Sequence, residues 1–190
     1  MRRPGDPLLL ALLALSLSAN VYLYRRVPGP VHQAGPLKPG EHVPEFSAIS
    51  PSGSTVDVRF ATQPTILYVF SPTCGWCARN LANAKALARQ AGGRFQFFAV
   101  ALDDTDLQHY LAENAIDWPV LTRLPDQVRT AYRFGATPET VVIDKGGVVS
   151  HVWLGAFKPR LVDEIGLVLG VRLPGLIDLN APGEARAGGG

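Results

Sequence analysis

A charge-free apolar run spans Leu8–Tyr24, a stretch without apolar periodicity follows it, and from about residue 40 onward short hydrophobic segments alternate with turn residues. Val43–Phe60 holds two such segments around Pro51-Ser52-Gly53, which predicts a β-hairpin. Ile66–Phe70 is apolar throughout and reads as a buried strand, and Ala78–Arg89 is built of strong helix formers stopped at Gly92-Gly93. Phe95–Ala101 supplies the next strand, completing a βαβ unit expected to be parallel and right-handed. Asp104 or Thr105 can cap a helix reaching about Glu113, and Trp118–Leu121 makes a short extended piece. Asp126–Phe134 predicts a further helix closed by Gly135. Strands at Thr140–Ile143 and Val148–Trp153 flank the turn Asp144-Lys145-Gly146-Gly147, and Pro159 opens a last helix to Leu169. This alternation predicts an α/β sheet with helices on both faces.

At 190 residues, 47% hydrophobic and 18% charged, the chain suits one globular domain with additional segments at both ends. A net charge of +2, with no basic run interleaved with aromatics, argues against a nucleic-acid partner. Arg2-Arg3 and Arg25-Arg26 bracket the N-terminal apolar run, whose 17 or so residues cover about 25 Å as a helix. Tyr22 and Tyr24 sit at one end as interfacial aromatics would, and Leu17-Ser18-Ala19 is a poor cleavage site, so an uncleaved signal-anchor is expected. A cleaved signal peptide is the alternative, and with no cysteine directly following the run there is no acceptor for lipid attachment. The expected organisation is a cytoplasmic segment 1–7, a single-pass transmembrane anchor 8–24, a Pro/Gly-rich linker 25–39, a folded domain 40–172 and a flexible tail 173–190, of which Leu173–Leu179 can still pack on the domain.

The only two cysteines form Cys74-Gly75-Trp76-Cys77, between the first buried strand and its helix. Unpaired amides and the macrodipole at a helix N-terminus favour thiolate over thiol. Cys74 is therefore the expected nucleophile, and Cys77, three residues on, the resolving thiol. A free thiol is roughly 3% ionised at pH 7, and a fall of two pKa units would make it about 75% thiolate. Lower intrinsic nucleophilicity returns most of that gain, leaving about a two- to threefold faster attack together with a better leaving group. Zinc would need about four ligands, and His32, His42, His109 and His151 are scattered without ligand spacing, so no metal is expected. A purely structural disulfide would close too short a loop to stabilise the fold much.

Taken together, the strand, C-x-x-C helix, Gly135-Ala136-Thr137-Pro138, terminal hairpin and terminal helix resemble the thioredoxin superfamily over about Lys38–Gly170. The early hairpin and the extra helix and strand between Ala101 and Asp126 resemble its TlpA/ResA-like, membrane-anchored redoxin branch. The resemblance implies a thioredoxin-like fold with an N-terminal β-hairpin and an inserted helix-strand. It implies that Pro138 is cis, beside the disulfide, and that Thr137 offers backbone hydrogen bonds to an extended client; Trp76, at a helix start, is expected to be exposed and to contact the partner. It also implies a periplasmic domain tethered to the inner membrane, exchanging disulfides with protein clients without a cofactor, and reduced by a membrane electron donor. Reduction of an exported cysteine protein, as in cytochrome c maturation, is the implied direction.

Two positions depart from that pattern: Tyr68 and Asn80 stand where thioredoxins and ResA-like reductases carry an acid. Both can tune the thiols by hydrogen bonds; packing or solvation alone is the competing explanation. A peroxidase would carry Pro-x-x-x-Thr before its cysteine, and Leu67 and Ser71 occupy those positions instead. A metal-delivery factor of the Sco type would need C-x-x-x-C; a redox maturation role remains compatible. Phe70, Trp118 and Phe134 are further candidates near the site, the last two more in keeping with core.

Overall fold

The computed structural model describes residues 7–26 and 35–177. Residues 1–6 of the expected cytoplasmic segment, residues 27–34 of the linker, and the tail from residue 178 lie outside the described residues.

Residues 1–35 and 36–190 form separate compact units. The first holds α1, Pro7–Arg26, a helix of 20 residues. Among the described residues no helix is long and apolar enough to cross a membrane.

The second unit opens with a hairpin of β1 (Phe46–Ile49) and β2 (Thr55–Val58), paired antiparallel in its own two-stranded sheet. The main sheet contains β3 (Thr65–Phe70), β4 (Gln96–Ala101), β5 (Val120–Leu121), β6 (Glu139–Ile143) and β7 (Val149–Leu154), in the spatial order β5-β4-β3-β6-β7. Strands β3, β4 and β5 run parallel, while β6 is antiparallel to both β3 and β7. Central β3 is buried at every position, as an apolar strand covered on both faces must be. Four helices accompany the sheet: α2 (Gly75–Ala91), α3 (Leu107–Glu113), α4 (Asp126–Tyr132) and α5 (Pro159–Leu169).

Alternating side chains of β3 feed two cores. Ile66, Tyr68 and Phe70 join Cys77, Leu87 and Ile165 from α2 and α5, whereas Leu67 and Val69 join Val128 and Tyr132 of α4 and Phe46 and Val58 of the hairpin. The architecture is the thioredoxin-like fold with an N-terminal hairpin and an inserted α3-β5 segment. Gly147 (φ +78°) closes the β6-β7 turn, where an added Cβ would stand 3.0 Å from His42 and 3.2 Å from the Val43 carbonyl oxygen.

Several boundaries differ from the sequence expectation. Leu37 is 3% exposed and packs in the second core, so the fold starts inside the predicted linker. Helix α4 ends at Arg133 in left-handed conformation (φ 50°), two residues before Gly135. There the Arg133 side chain is tied to Glu41 and to the Pro36 carbonyl, contacts no local pattern reveals. Residues 171–177, which include the start of the expected tail, lie along α2, in keeping with the packing open to Leu173–Leu179. The Arg172 amide donates to Gln90 Oε1 (2.8 Å), Gly175 N to Asn83 Oδ1 (2.8 Å) and Ile177 N to the Arg79 carbonyl (2.9 Å).

Candidate functional site

Where β3 leaves the core, a Ser/Thr turn aims the chain into α2. Thr73 N donates to Ser71 Oγ (3.3 Å) and Cys74 N to the Ser71 carbonyl (3.2 Å). Cys74 then occupies the N-cap with extended backbone (φ −81°, ψ 111°), and its Sγ accepts from the Cys77 amide at 3.4 Å. A sulfur thus takes the place of the usual capping oxygen. Cys77, within the first turn, faces the sheet and is 1% exposed, while Cys74 stays partly exposed; both are free thiols.

That difference in placement separates their chemistry. Burial pushes the Cys74 thiol up, but hydrogen bonds from the Thr137 and Cys77 side chains and from the Cys77 and Trp76 backbone outweigh it and leave the group below its ordinary value. Burial pushes Cys77 up to about 12, the Cys74 sulfur adding to the effect and backbone contact with Ser71 opposing it. One sulfur is thereby prepared to ionise and the other to keep its proton.

Opposite them, the Thr137–Pro138 peptide is cis, and Cys74 Sγ lies 3.5 Å from the Thr137 carbonyl oxygen, to which the thiol donates. Gly155 N donates to the Pro138 carbonyl (2.8 Å), fastening this loop to the end of β7. Trp76 is 47% exposed; the Arg79 guanidinium lies 4.8 Å and the Lys158 ammonium 5.7 Å from its ring centre.

Tyr68 and Asn80 meet behind the dithiol. Asn80 is fully buried, not solvated: its Oδ1 accepts from Phe157 N (2.9 Å) and Asn83 Nδ2 (2.9 Å), and its Nδ2 donates to Tyr68 Oη (3.3 Å). Burial first, and then the Cys77 sulfur, raise the Tyr68 hydroxyl above its ordinary value, the Asn80 bond opposing them. Phe70 stacks between Tyr68 (6.3 Å) and Tyr110 (5.6 Å). Trp118 and Phe134 pack against the first and second cores respectively.

Two residues of this region carried no motif. Tyr110 of α3 is pushed up to about 12 by burial and then by the Cys77 and Cys74 sulfurs. Glu139, directly after Pro138, is 1% exposed, its Oε1 has no hydrogen-bond partner among the described residues, and burial pushes its carboxyl up to about 7. An acid at the head of the apolar run Thr140–Ile143 was the available signal for it.

With this geometry, residues 38–168 match the Redoxin family model. This chain belongs to the Redoxin family. The redoxin is similar to several solved structures. The thioredoxin domain of a thiol-disulfide oxidoreductase from Bacteroides vulgatus shares 18% identity over 70% of this chain and 99% of its own, with a TM-score of 0.57. A thiol:disulfide interchange protein of the thioredoxin family from Chlorobium tepidum shares 21% over 71% and 99%, TM-score 0.56. A secreted Mycobacterium tuberculosis disulfide oxidoreductase homologous to Escherichia coli DsbE shares 19% over 66% and 94%, TM-score 0.52. At these identities the likeness is one of fold. No curated protein matches the sequence.

Proposed function

We propose that this redoxin is a membrane-anchored thiol-disulfide oxidoreductase that reduces exported proteins through the Cys74/Cys77 pair. The observation that carries the proposal is the unequal environment of the sulfurs: an N-capping Cys74 held below its ordinary pKa and a buried Cys77 pushed up to about 12, beside Thr137-Pro138. The Cys74 thiolate attacks a client disulfide; one client sulfur leaves as thiolate and takes up a proton, and a mixed disulfide forms. Cys77 then loses its proton and attacks Cys74 Sγ. The second client thiolate departs, the client has gained two electrons, and the protein holds a Cys74–Cys77 disulfide. A partner dithiol at the membrane returns the pair to the reduced state, so the couple is itself the redox group. Trp76, Thr137 and Pro138 frame the client. The reducing direction follows the resemblance to TlpA/ResA-like proteins, and equilibration with glutathione tests it: a potential near −270 mV supports reduction, one near −120 mV an oxidase.

In place of the missing acid, Tyr68 and Asn80 tune the second step. The Asn80 amide already occupies an acceptor position on Tyr68 Oη, leaving the phenolic hydrogen available for the Cys77 sulfur in the same core cluster. Tyr68→Phe keeps the ring and removes that donor. Release from the mixed disulfide is expected to slow about tenfold, equivalent to about 1.4 kcal/mol, with its pH dependence moved upward. Single-turnover kinetics that separate attack from release check this; an unchanged release rate counts against the role.

For the membrane, the support is the charge-free Leu8–Tyr24 run between arginine pairs. Its shortfall of a few Å against a hydrocarbon core is of the size that local thinning and arginine snorkelling absorb. Trapping with Cys77→Ser in membranes, combined with a reporter fused after α1, tests client and location together. A cytosolic reporter would refute the exported placement.

A further inference from the structure

The surface around Trp76 combines exposed apolar area with unbalanced positive charge. Trp76 lies between the two cysteines in sequence, and Leu154, 46% exposed, ends β7 one residue before the Gly155 that holds the Pro138 carbonyl. Cys74 Sγ and the Thr137 carbonyl oxygen, 3.5 Å apart, join the segment that carries Trp76 to the loop fastened by Gly155. Arg79 and Lys158 both lie against the Trp76 ring, and exposed Arg160 follows in the first turn of α5. Lys158 is the N-cap residue of α5, its side chain making no capping hydrogen bond, and Arg79 Nε donates to the Ile177 carbonyl at 3.4 Å.

Among the described residues, no carboxylate lies within ion-pair distance of Arg79, Lys158 or Arg160; the ion pairs present involve Arg59, His109, Arg123 and Arg133. The nearest acids along α5 are Asp163, which is exposed, and Glu164, which accepts from Trp153 Nε1 at 2.8 Å. Neither cation is among the causes that depress Cys74, so thiol activation does not account for them. An indole face can hold a cation without neutralising it, which leaves both charges available to an incoming anion.

We propose that the client segment docking at this redoxin is acidic, carrying aspartate or glutamate beside its reactive cysteine and an apolar residue over Trp76. This rests on the disulfide-exchange reading above and names the substrate class for it. Rim charges act chiefly on encounter rate and register, and their effect is screened by salt.

The test uses the full-length protein in detergent, reduced, with three disulfide-bonded peptides identical except for Glu, Gln or Lys on either side of the cysteine. Second-order rate constants are measured at low salt and at 0.5 M NaCl. The Glu peptide is expected to react about tenfold faster than the Lys peptide at low salt, with the Gln peptide between, and the difference should shrink at high salt. Lys158→Glu should abolish or invert the order, and Lys158→Ala should weaken it. Equal rates for the three peptides, or an order untouched by Lys158→Glu, would overturn the acidic-client proposal while leaving exchange intact. No reaction with any peptide would instead overturn the exchange reading on which it rests.

Discussion

Cys74→Ser is expected to lower disulfide reduction by about a thousandfold or more, and Cys77→Ser to leave the first attack working while stopping release. The asymmetry follows from where α2 places each sulfur. At the N-cap, Cys74 is partly exposed and receives the Cys77 amide at 3.4 Å, an interaction that stabilises a thiolate and that a neutral hydroxyl cannot turn into nucleophilic sulfur. Cys77 is buried and pushed up to about 12, so it contributes no competing thiolate at neutral pH. Its advantage in the second step is proximity: an intramolecular thiol beside the mixed disulfide outcompetes any dissolved thiol. The Cys77→Ser protein should therefore accumulate a client adduct at Cys74, visible as a shifted band on non-reducing gels and as added mass in intact-protein spectra. Equal residual activity in the two variants would mean that the sulfurs are interchangeable, contrary to their burial.

Replacing Glu139 with glutamine is expected to change how stability depends on pH, by about 3 kcal/mol between pH 4 and pH 8. Glu139 pairs across the ladder with Val69 and Leu154 and shares its strand face with Val141 and Ile143 of the second core. No partner among the described residues satisfies Oε1, and burial pushes the carboxyl from 4.5 up to about 7. Below pH 4.5 the folded and unfolded chains both hold the proton, and the contribution of the neutral group is fully present. As the pH rises through about 7 that contribution is lost, because the unfolded chain has ionised freely while the folded one has had to give up its proton in an apolar setting. Glutamine has the same shape and no proton to lose. Melting curves should therefore show the difference between Glu139→Gln and the native protein growing in favour of the variant between pH 4 and pH 8, by about 5 °C or more. A gap independent of pH would show that Glu139 is not held in an apolar site.

Elements whose reason is local were legible in the sequence. The apolar run at β3, the helix formers of α2 and the Asp144 turn needed no partner to be read. In that turn Asp144 Oδ1 accepts from the amides of Gly146 (2.8 Å) and Val148 (2.9 Å), as a short acidic side chain before paired glycines allows. Pro159 marked the start of α5 for an equally local reason, its fixed φ and missing amide hydrogen.

What escaped was set by partners distant in sequence. Asn80 looks like a surface residue on a helix until Phe157, 77 positions away, donates to it. The course of 171–177 along α2 has no local signature because its hydrogen bonds go to side chains and carbonyls of another element. Tyr110 belongs to the dithiol's surroundings only because α3 returns over Phe70. Glu139 and Leu37 are buried for the same kind of reason, both on the second-core side of the sheet.

The central claim is that the fold makes two neighbouring thiols chemically unequal, and alkylation of the reduced protein across pH, quantified at each cysteine by mass spectrometry, tests it most directly. Cys74 should label with a midpoint below the ordinary thiol value of about 8.5, and Cys77 should stay unlabelled until conditions far more alkaline. Two cysteines that titrate together at the ordinary value would contradict the account.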